Sequence, residues 1–153
     1  MHDKALIEEQ EQELTKFNWQ DSMLNQDNKL QLSVEQSVVV SAMQQTQQKF
    51  SCHLIDGVTG SGKTEVYLQT IEQVLAQSKQ VLILVPEIGL TPQTLSRFEQ
   101  RFDVPIYLHH SGLNDKERLE TWLAAQRGTA AMVIGTRSAI FTPLHRLGLI
   151  IID

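Results

Sequence analysis

The feature that most constrains the fold of this 153-residue chain is the run G-V-T-G-S-G-K-T at positions 57–64. Its glycines permit a tight turn, and such a loop before a helix directs backbone N–H groups and the positive helix end toward one place. Phosphate is the ligand that this arrangement binds. A strand before the loop and a helix after it would support the interpretation.

The flanking sequence has that form. Cys52–Asp56 predicts a short strand, and 63–77 carries an apolar stripe at helical spacing. In a loop of this kind, Lys63 reaches the β- and γ-phosphates of a nucleoside triphosphate, and the Thr64 hydroxyl ligates magnesium. The remaining phosphate-binding positions are Gly57, Thr59, Gly60, Ser61 and Gly62.

From Leu32 onward, predicted helices and strands alternate along the chain. This order predicts an α/β fold, a mainly parallel sheet with helices on both faces, and ligands at the carboxyl ends of the strands. Thr91 and Pro92 start one helix as N-cap and first residue, and Asn114 with Glu117 forms a capping pair for another. Strands are predicted over 81–85, 104–108, 130–134 and 147–151, and helices over 33–45 and 114–127.

Composition narrows the functional classes. The formal net charge of −5 argues against nonspecific adhesion to nucleic acid, although it permits a local DNA path. One cysteine excludes an internal disulfide and a cysteine-built zinc site. No signal peptide or membrane-spanning run is visible, so the sequence predicts a cytoplasmic protein. Adjacent His109 and His110 point to opposite faces of a strand, so the histidines predict no metal site.

Two further residues belong to the expected nucleotide site. The segment Leu149–Asp153 is four apolar residues followed by a carboxylate, which in P-loop ATPases lies beside magnesium. Gln36 has two interpretations that the sequence does not separate. It completes a capping box with Ser33, or it reads the adenine edge with its paired donor and acceptor.

Two hydroxyl-rich loops follow predicted strands. Thr91 lies in the loop 86–93, and Thr136, Arg137 and Ser138 lie in the loop 134–139. Such donors bind a phosphate backbone, which makes these four residues candidates for DNA binding. The alternatives are a helix cap for the first loop and a solvated turn for the second.

Four spaced motifs together resemble the PriA (primosomal protein N′) family of superfamily-two replication-restart DNA helicases. The resemblance covers 32–153 and implies a RecA-like P-loop NTPase lobe, whereas 1–31 is expected to form a partly helical connector. The motifs are G-V-T-G-S-G-K-T-E-V-Y at 57–67, V-P-E-I-G-L-T-P-Q-T at 85–94, H-S-G-L-N at 110–114 and I-G-T-R-S-A at 134–139.

The resemblance implies a 3′-to-5′ ATP-dependent helicase that acts in replication restart and primosome assembly at stalled forks. ATP and Mg²⁺ would be its cofactors, and single-stranded and forked DNA, other primosome proteins and single-strand-binding protein its partners. By the same resemblance, Asp153 begins the D-E-x-H box and Gln36 reads adenine. Gly60, Gly62, Lys63 and Thr64 hold ATP and magnesium, and Thr91 and 136–138 contact single-stranded DNA.

The family pattern continues beyond Asp153 with a water-orienting glutamate, a zinc module and a second lobe carrying arginine fingers. The sequence is therefore interpreted as a fragment truncated at the Walker B strand, inactive alone, with zinc expected only in the missing part. Rival interpretations are a RecG-like branch-migration ATPase, a P-loop ATPase or kinase without DNA, and a non-catalytic ATP-binding interaction module. A GTPase is disfavoured because no N-K-x-D guanine-reading motif is present.

Overall fold

The computed structural model describes residues 30–46 and 49–153, so the predicted connector over 1–31 lies almost wholly outside the described residues. Short 3-10 helices at Glu87–Gly89 and Arg137–Phe141 follow the first and third strands. The longer elements are α1 (Val34–Thr46), α2 (Lys63–Ala76), β1 (Gln80–Leu84), α3 (Pro92–Arg101), β2 (Ile106–His109), α4 (Asp115–Arg127), β3 (Met132–Gly135) and β4 (Leu147–Ile152).

The strands form one four-stranded sheet in the order β2-β3-β1-β4. Every neighbouring pair is parallel, with Ile83 opposite Ile134 on one side and Ile151 on the other. All carboxyl ends therefore meet at one edge of the sheet. This confirms the predicted α/β fold with a parallel sheet.

Both faces of the sheet are covered, as predicted. Val81 and Ile83 of β1 pack into the larger apolar core, to which α2 and α3 contribute. Leu82 and Leu84 alternate to the opposite face, where Ala125 of α4 is fully buried. Burial on both sides explains why residues 81–84 of β1 are continuously apolar rather than alternating in polarity.

The predicted strand Cys52–Asp56 was wrong. The segment carries no regular secondary structure, and Leu54 is 95% exposed. A strand needs a hydrogen-bonded neighbour, and no strand of the described sheet pairs with this segment. Within that sheet β4 pairs only with β1, so the outer edge of β4 is open and Ile152 is 77% exposed.

Other boundaries follow local chemistry. Thr91 caps α3 through the amide of Thr94 at 3.1 Å, and Asn114 with Glu117 forms the predicted capping box of α4. The strand predicted over 104–108 begins instead at Ile106, because Pro105 has no N–H to donate. The strand predicted over 130–134 is observed as β3, Met132–Gly135.

Gln80 joins three elements at the amino end of the sheet. Its side chain is fully buried, and its Nε2 donates to the carbonyl oxygens of Ala130 at 2.8 Å and Ala125 at 3.2 Å. Its Oε1 accepts from the amide of Arg146 at 3.0 Å. One amide side chain thus fixes the end of α4 and the entries to β3 and β4.

A second buried network joins α2 to α3. The guanidinium of Arg101, at the end of α3, lies 3.4 Å from Glu65 and 3.5 Å from Glu72. Glu65 also accepts from Gln69 at 2.8 Å. Arg101 is only 3% exposed, so the first turns of α2 and the last turn of α3 share a desolvated ion pair.

None of the helices within 30–46 and 49–153 has the length and apolar character needed to span a bilayer.

Candidate functional site

The loop 57–62 forms a glycine-dependent turn at the start of α2. Gly60 and Gly62 have φ values of 83° and 82°, which glycine adopts without steric cost. A side chain at Gly62 would also collide with Gln36, because a Cβ built there lies 2.2 Å from its Nε2. The N-terminus of the 14-residue helix α2 has no side-chain cap, so its first N–H groups are available to a ligand.

The ammonium of Lys63 turns back over this loop. Its Nζ donates to the carbonyl oxygens of Gly57 and Val58. Thr59, Gly60, Ser61 and Thr64 are exposed around it. The structure therefore places every loop residue predicted to bind phosphate around the same helix end.

Gln36 performs the capping role and contacts the loop as well. Its side-chain Oε1 accepts from the backbone N–H of Ser33 at 2.9 Å, and its backbone N–H donates to the Ser33 hydroxyl at 3.2 Å. Its Nε2 donates to the carbonyl of Ser61 at 3.0 Å. The capping interpretation describes the conformation observed, and the adenine-reading role stays a prediction.

Asp153 approaches α2 through Tyr67, a residue whose role sequence reasoning missed. The Tyr67 hydroxyl donates to Asp153 Oδ1 at 3.4 Å, and Tyr67 follows Lys63 by one helical turn. The amide of Asp153 donates to Leu84, which holds it at the carboxyl end of β1. Spacing from Lys63 was the available signal, but the aromatic ring was read only as part of the apolar stripe.

Burial raises the pKa of the Tyr67 hydroxyl, and the charge and hydrogen bond of Asp153 raise it further. Because the folded state favours the neutral phenol, this contribution to stability is present below pH 10 and is lost as the pH rises through the folded pKa. In Asp153→Asn, we expect the Tyr67 pKa to fall but to remain raised, since burial persists. Tyrosinate absorbance, taken as the difference from a Tyr67→Phe variant, would measure it, and an unchanged pKa would contradict the contact.

A second concave site lies at the carboxyl ends of β1, β2 and β3. It is a half-open cavity of about 430 Å³ that includes both Thr91 and Thr136 in its wall. Thr91 is the N-cap of α3, and Thr136 is buried at the end of β3. Arg137 and Ser138 are exposed beside it on the short 3-10 helix. The two predicted DNA-binding loops thus converge on one cavity.

Close approach of β2 and β3 shapes this edge. A Cβ at Gly135 would lie 2.2 Å from the carbonyl oxygen of His109, so only glycine fits there. Burial, followed by the charges of Arg118 and His110, lowers the pKa of His109, which keeps its imidazole neutral at pH 7. Among the residues that the structure describes, no three histidine, cysteine or acidic side chains are grouped to hold a metal.

A parallel α/β lobe with a G-x-x-x-x-G-K-T loop at the start of a helix and a carboxylate at the end of β4 has the features of a P-loop NTPase. The family model described as DEAD/DEAH box helicase matches residues 33–153. The chain belongs to that family.

Comparison with curated proteins gives the particular relatives. The chain is 48% identical to "Replication restart protein PriA" of Haemophilus influenzae over 98% of its length, and 43% identical to the protein of that name from Bacillus subtilis over 98%. The Synechocystis protein with the same name is 57% identical over 65% of the chain. These matches confirm the predicted resemblance to PriA. The chain spans about a fifth of the first relatives' length, 21% and 19%.

Proposed function

We propose that this chain is the first ATP-binding lobe of a 3′-to-5′ DNA helicase that acts in replication restart and primosome assembly at stalled forks. The observation that carries the proposal is that two candidate sites lie at the carboxyl edge of one parallel sheet. The start of α2 reaches this edge through the contact of Tyr67 with Asp153, and the cavity that includes Thr91 and Thr136 lies at the ends of β1, β2 and β3. Hydrolysis at one site and strand binding at the other give such a lobe the two functions that a helicase needs.

The residues present fit ATP and magnesium. The uncapped end of α2 offers N–H groups to phosphate, and Lys63 adds a cation that would exchange its loop carbonyls for phosphate oxygens. The exposed hydroxyl of Thr64 and the carboxylate of Asp153 would hold magnesium, which when bound neutralises phosphate charge. Tyr67 orients that carboxylate through its hydroxyl. Gln36 would read adenine after releasing Ser61.

The DNA side of the proposal rests on the convergence of Thr91, Thr136, Arg137 and Ser138. The Thr91 hydroxyl accepts from the Thr94 amide at 3.1 Å and lies 3.0 Å from the Thr94 hydroxyl. A phosphate oxygen would take the Thr91 proton in place of the Thr94 oxygen. Thr136 makes no side-chain cap bond, and Arg137 is exposed. These groups would contact single-stranded and forked DNA, and by relationship the full protein would meet primosome proteins and single-strand-binding protein in the cytoplasm.

Two measurements on the full-length gene product test this function. Single-stranded DNA should stimulate ATP hydrolysis, and a forked duplex should be unwound by movement 3′ to 5′ along the loading strand. ATP hydrolysis that DNA leaves unchanged would favour a P-loop enzyme acting on another substrate. Failure to bind ATP would favour a non-catalytic interaction module.

Arg137→Ala should reduce the salt dependence of single-stranded DNA binding. If Arg137 contacts one phosphate, the slope of log affinity against log salt concentration should become shallower by about 0.7. Fluorescence anisotropy at several salt concentrations would measure it. Arg127→Ala, which removes an exposed charge at the far end of α4, is the matched control and should leave the slope unchanged. Equal slopes for the wild type and Arg137→Ala would show that Arg137 does not contact a DNA phosphate.

A further inference from the structure

The cavity beside Thr91 and Thr136 has more features than a phosphate contact requires. Its volume of about 430 Å³ lies within the range of pockets that enclose small molecules, roughly 300–1,000 Å³. A phosphate backbone can be bound by surface hydroxyls and N–H groups without a concave site of this size. The cavity therefore fits a bulkier part of a nucleotide.

The inner wall of the cavity is apolar. Leu90, Leu95 and Leu108 line it, and all three pack against the larger hydrophobic core. Pro92 at the start of α3 adds a rigid ring. Such a surface repels a charged phosphate and accommodates a flat aromatic ring, because desolvation of apolar surface favours contact between the two.

A single carboxylate stands at the rim of this apolar wall. Glu87 Oε1 accepts from the Ser111 hydroxyl at 3.2 Å, and no described residue donates a hydrogen bond to Oε2. Ser111 is itself held in place, because Arg118 donates to its carbonyl oxygen at 3.0 Å. Sequence reasoning gave Glu87 no role. An ionised carboxylate only accepts hydrogen bonds, so its ligand must be a donor and cannot be a phosphate.

We propose that this cavity takes up one unstacked base of the bound DNA strand, and that Glu87 selects bases carrying an amino group. The proposal rests on the DNA binding proposed above. Thr91 and Thr136 lie in the same cavity wall and would face the sugar–phosphate side of that nucleotide. The base would enter against the leucines with its amino group toward Glu87.

The expected preference follows from the functional groups of the bases. Cytosine presents its N4 amino group, a donor that carboxylates accept from, whereas thymine presents the O4 acceptor at the corresponding position. A carboxylate facing O4 is repelled. Cytosine should therefore be bound more tightly than thymine, and the difference should depend on the charge of Glu87.

The test measures binding of oligo-dC and oligo-dT of equal length to the full-length gene product, above neutral pH and at fixed salt. We expect about tenfold tighter binding of oligo-dC, and a fall of this ratio to about one in Glu87→Gln. Glu99→Gln is the control, because it removes an exposed carboxylate from α3 outside the cavity. It should leave the ratio near ten, although either variant can raise both affinities by removing negative charge.

The outcomes separate this proposal from the function on which it rests. Equal binding of oligo-dC and oligo-dT by the wild type, or a preference that survives in Glu87→Gln, overturns the base pocket and leaves DNA binding intact. A parallel loss of both affinities in Glu87→Gln would show that Glu87 acts only by holding Ser111, and would also overturn it. Absence of binding to either oligonucleotide would instead contradict the proposed helicase function.

Discussion

Replacing Lys63 by alanine is expected to lower the rate of ATP hydrolysis by the full-length gene product by about 10²–10³-fold. Removing one preorganised donor from a charged transition state has an effect of this size. The Lys63 ammonium is the cation at the uncapped start of α2, and its described hydrogen bonds go to loop carbonyls, which are acceptors and cannot replace it. The measurement is steady-state hydrolysis at saturating single-stranded DNA, together with binding of a fluorescent ATP analogue.

Lys116→Ala is the matched control for this variant. Its side chain is 85% exposed, and its partner Glu120 lies one helical turn away at 3.8 Å. Such surface pairs contribute little to stability, so this control should keep wild-type hydrolysis. Binding of single-stranded DNA at the proposed cavity should persist in Lys63→Ala, because Lys63 does not line it. A hydrolysis rate within about twofold of wild type would show that Lys63 has no part in the reaction.

The largest expected effect on stability comes from Gln80→Leu. The substitution keeps the volume of a fully buried side chain but removes its hydrogen bonds to Ala125, Ala130 and Arg146. Losing partners for buried backbone groups costs about 1–3 kcal/mol each, and leucine burial offsets part of this cost. A net loss of about 3 kcal/mol is expected, or roughly a 100-fold fall in protection against amide exchange across β1.

Hydrogen exchange read by mass spectrometry resolves this effect even within a larger protein. Gln126→Leu provides the control, because Gln126 is exposed on α4 and close in sequence to the same strand–helix junction. It should leave the protection of β1 unchanged. Undiminished protection in Gln80→Leu would mean that apolar packing alone holds the end of the sheet together.

Local signals predicted most of the elements. The buried run of β1, the Thr91 cap and the Asn114–Glu117 capping box each involve residues within a few positions of one another. These predictions do not depend on partners that are distant along the chain. The α/β class and the two-sided packing followed from the order of those elements.

What the sequence did not predict depends on partners distant along the chain. Cys52–Asp56 reads as a strand, yet strand formation is settled by a neighbour that the segment itself cannot specify. The bond between Tyr67 and Asp153 spans 86 positions. The cavity wall combines three loops, so the position of Glu87 opposite Ser111 became visible only in three dimensions.

The buried pairing of Arg101 with Glu65 has a mechanical consequence. Glu65 lies two residues beyond Lys63, and Arg101 closes the helix that Thr91 opens. If the first turn of α2 tilted away from α3, the two charges would separate inside the protein, where no water could solvate them. The ion pair therefore favours a joint movement of the two helices. The ten-residue α3 would rotate as a rigid body, and its N-terminal end at Thr91 would move relative to the DNA strand proposed to bind there. The ion pair would thus couple the proposed nucleotide site to the proposed DNA site within one lobe.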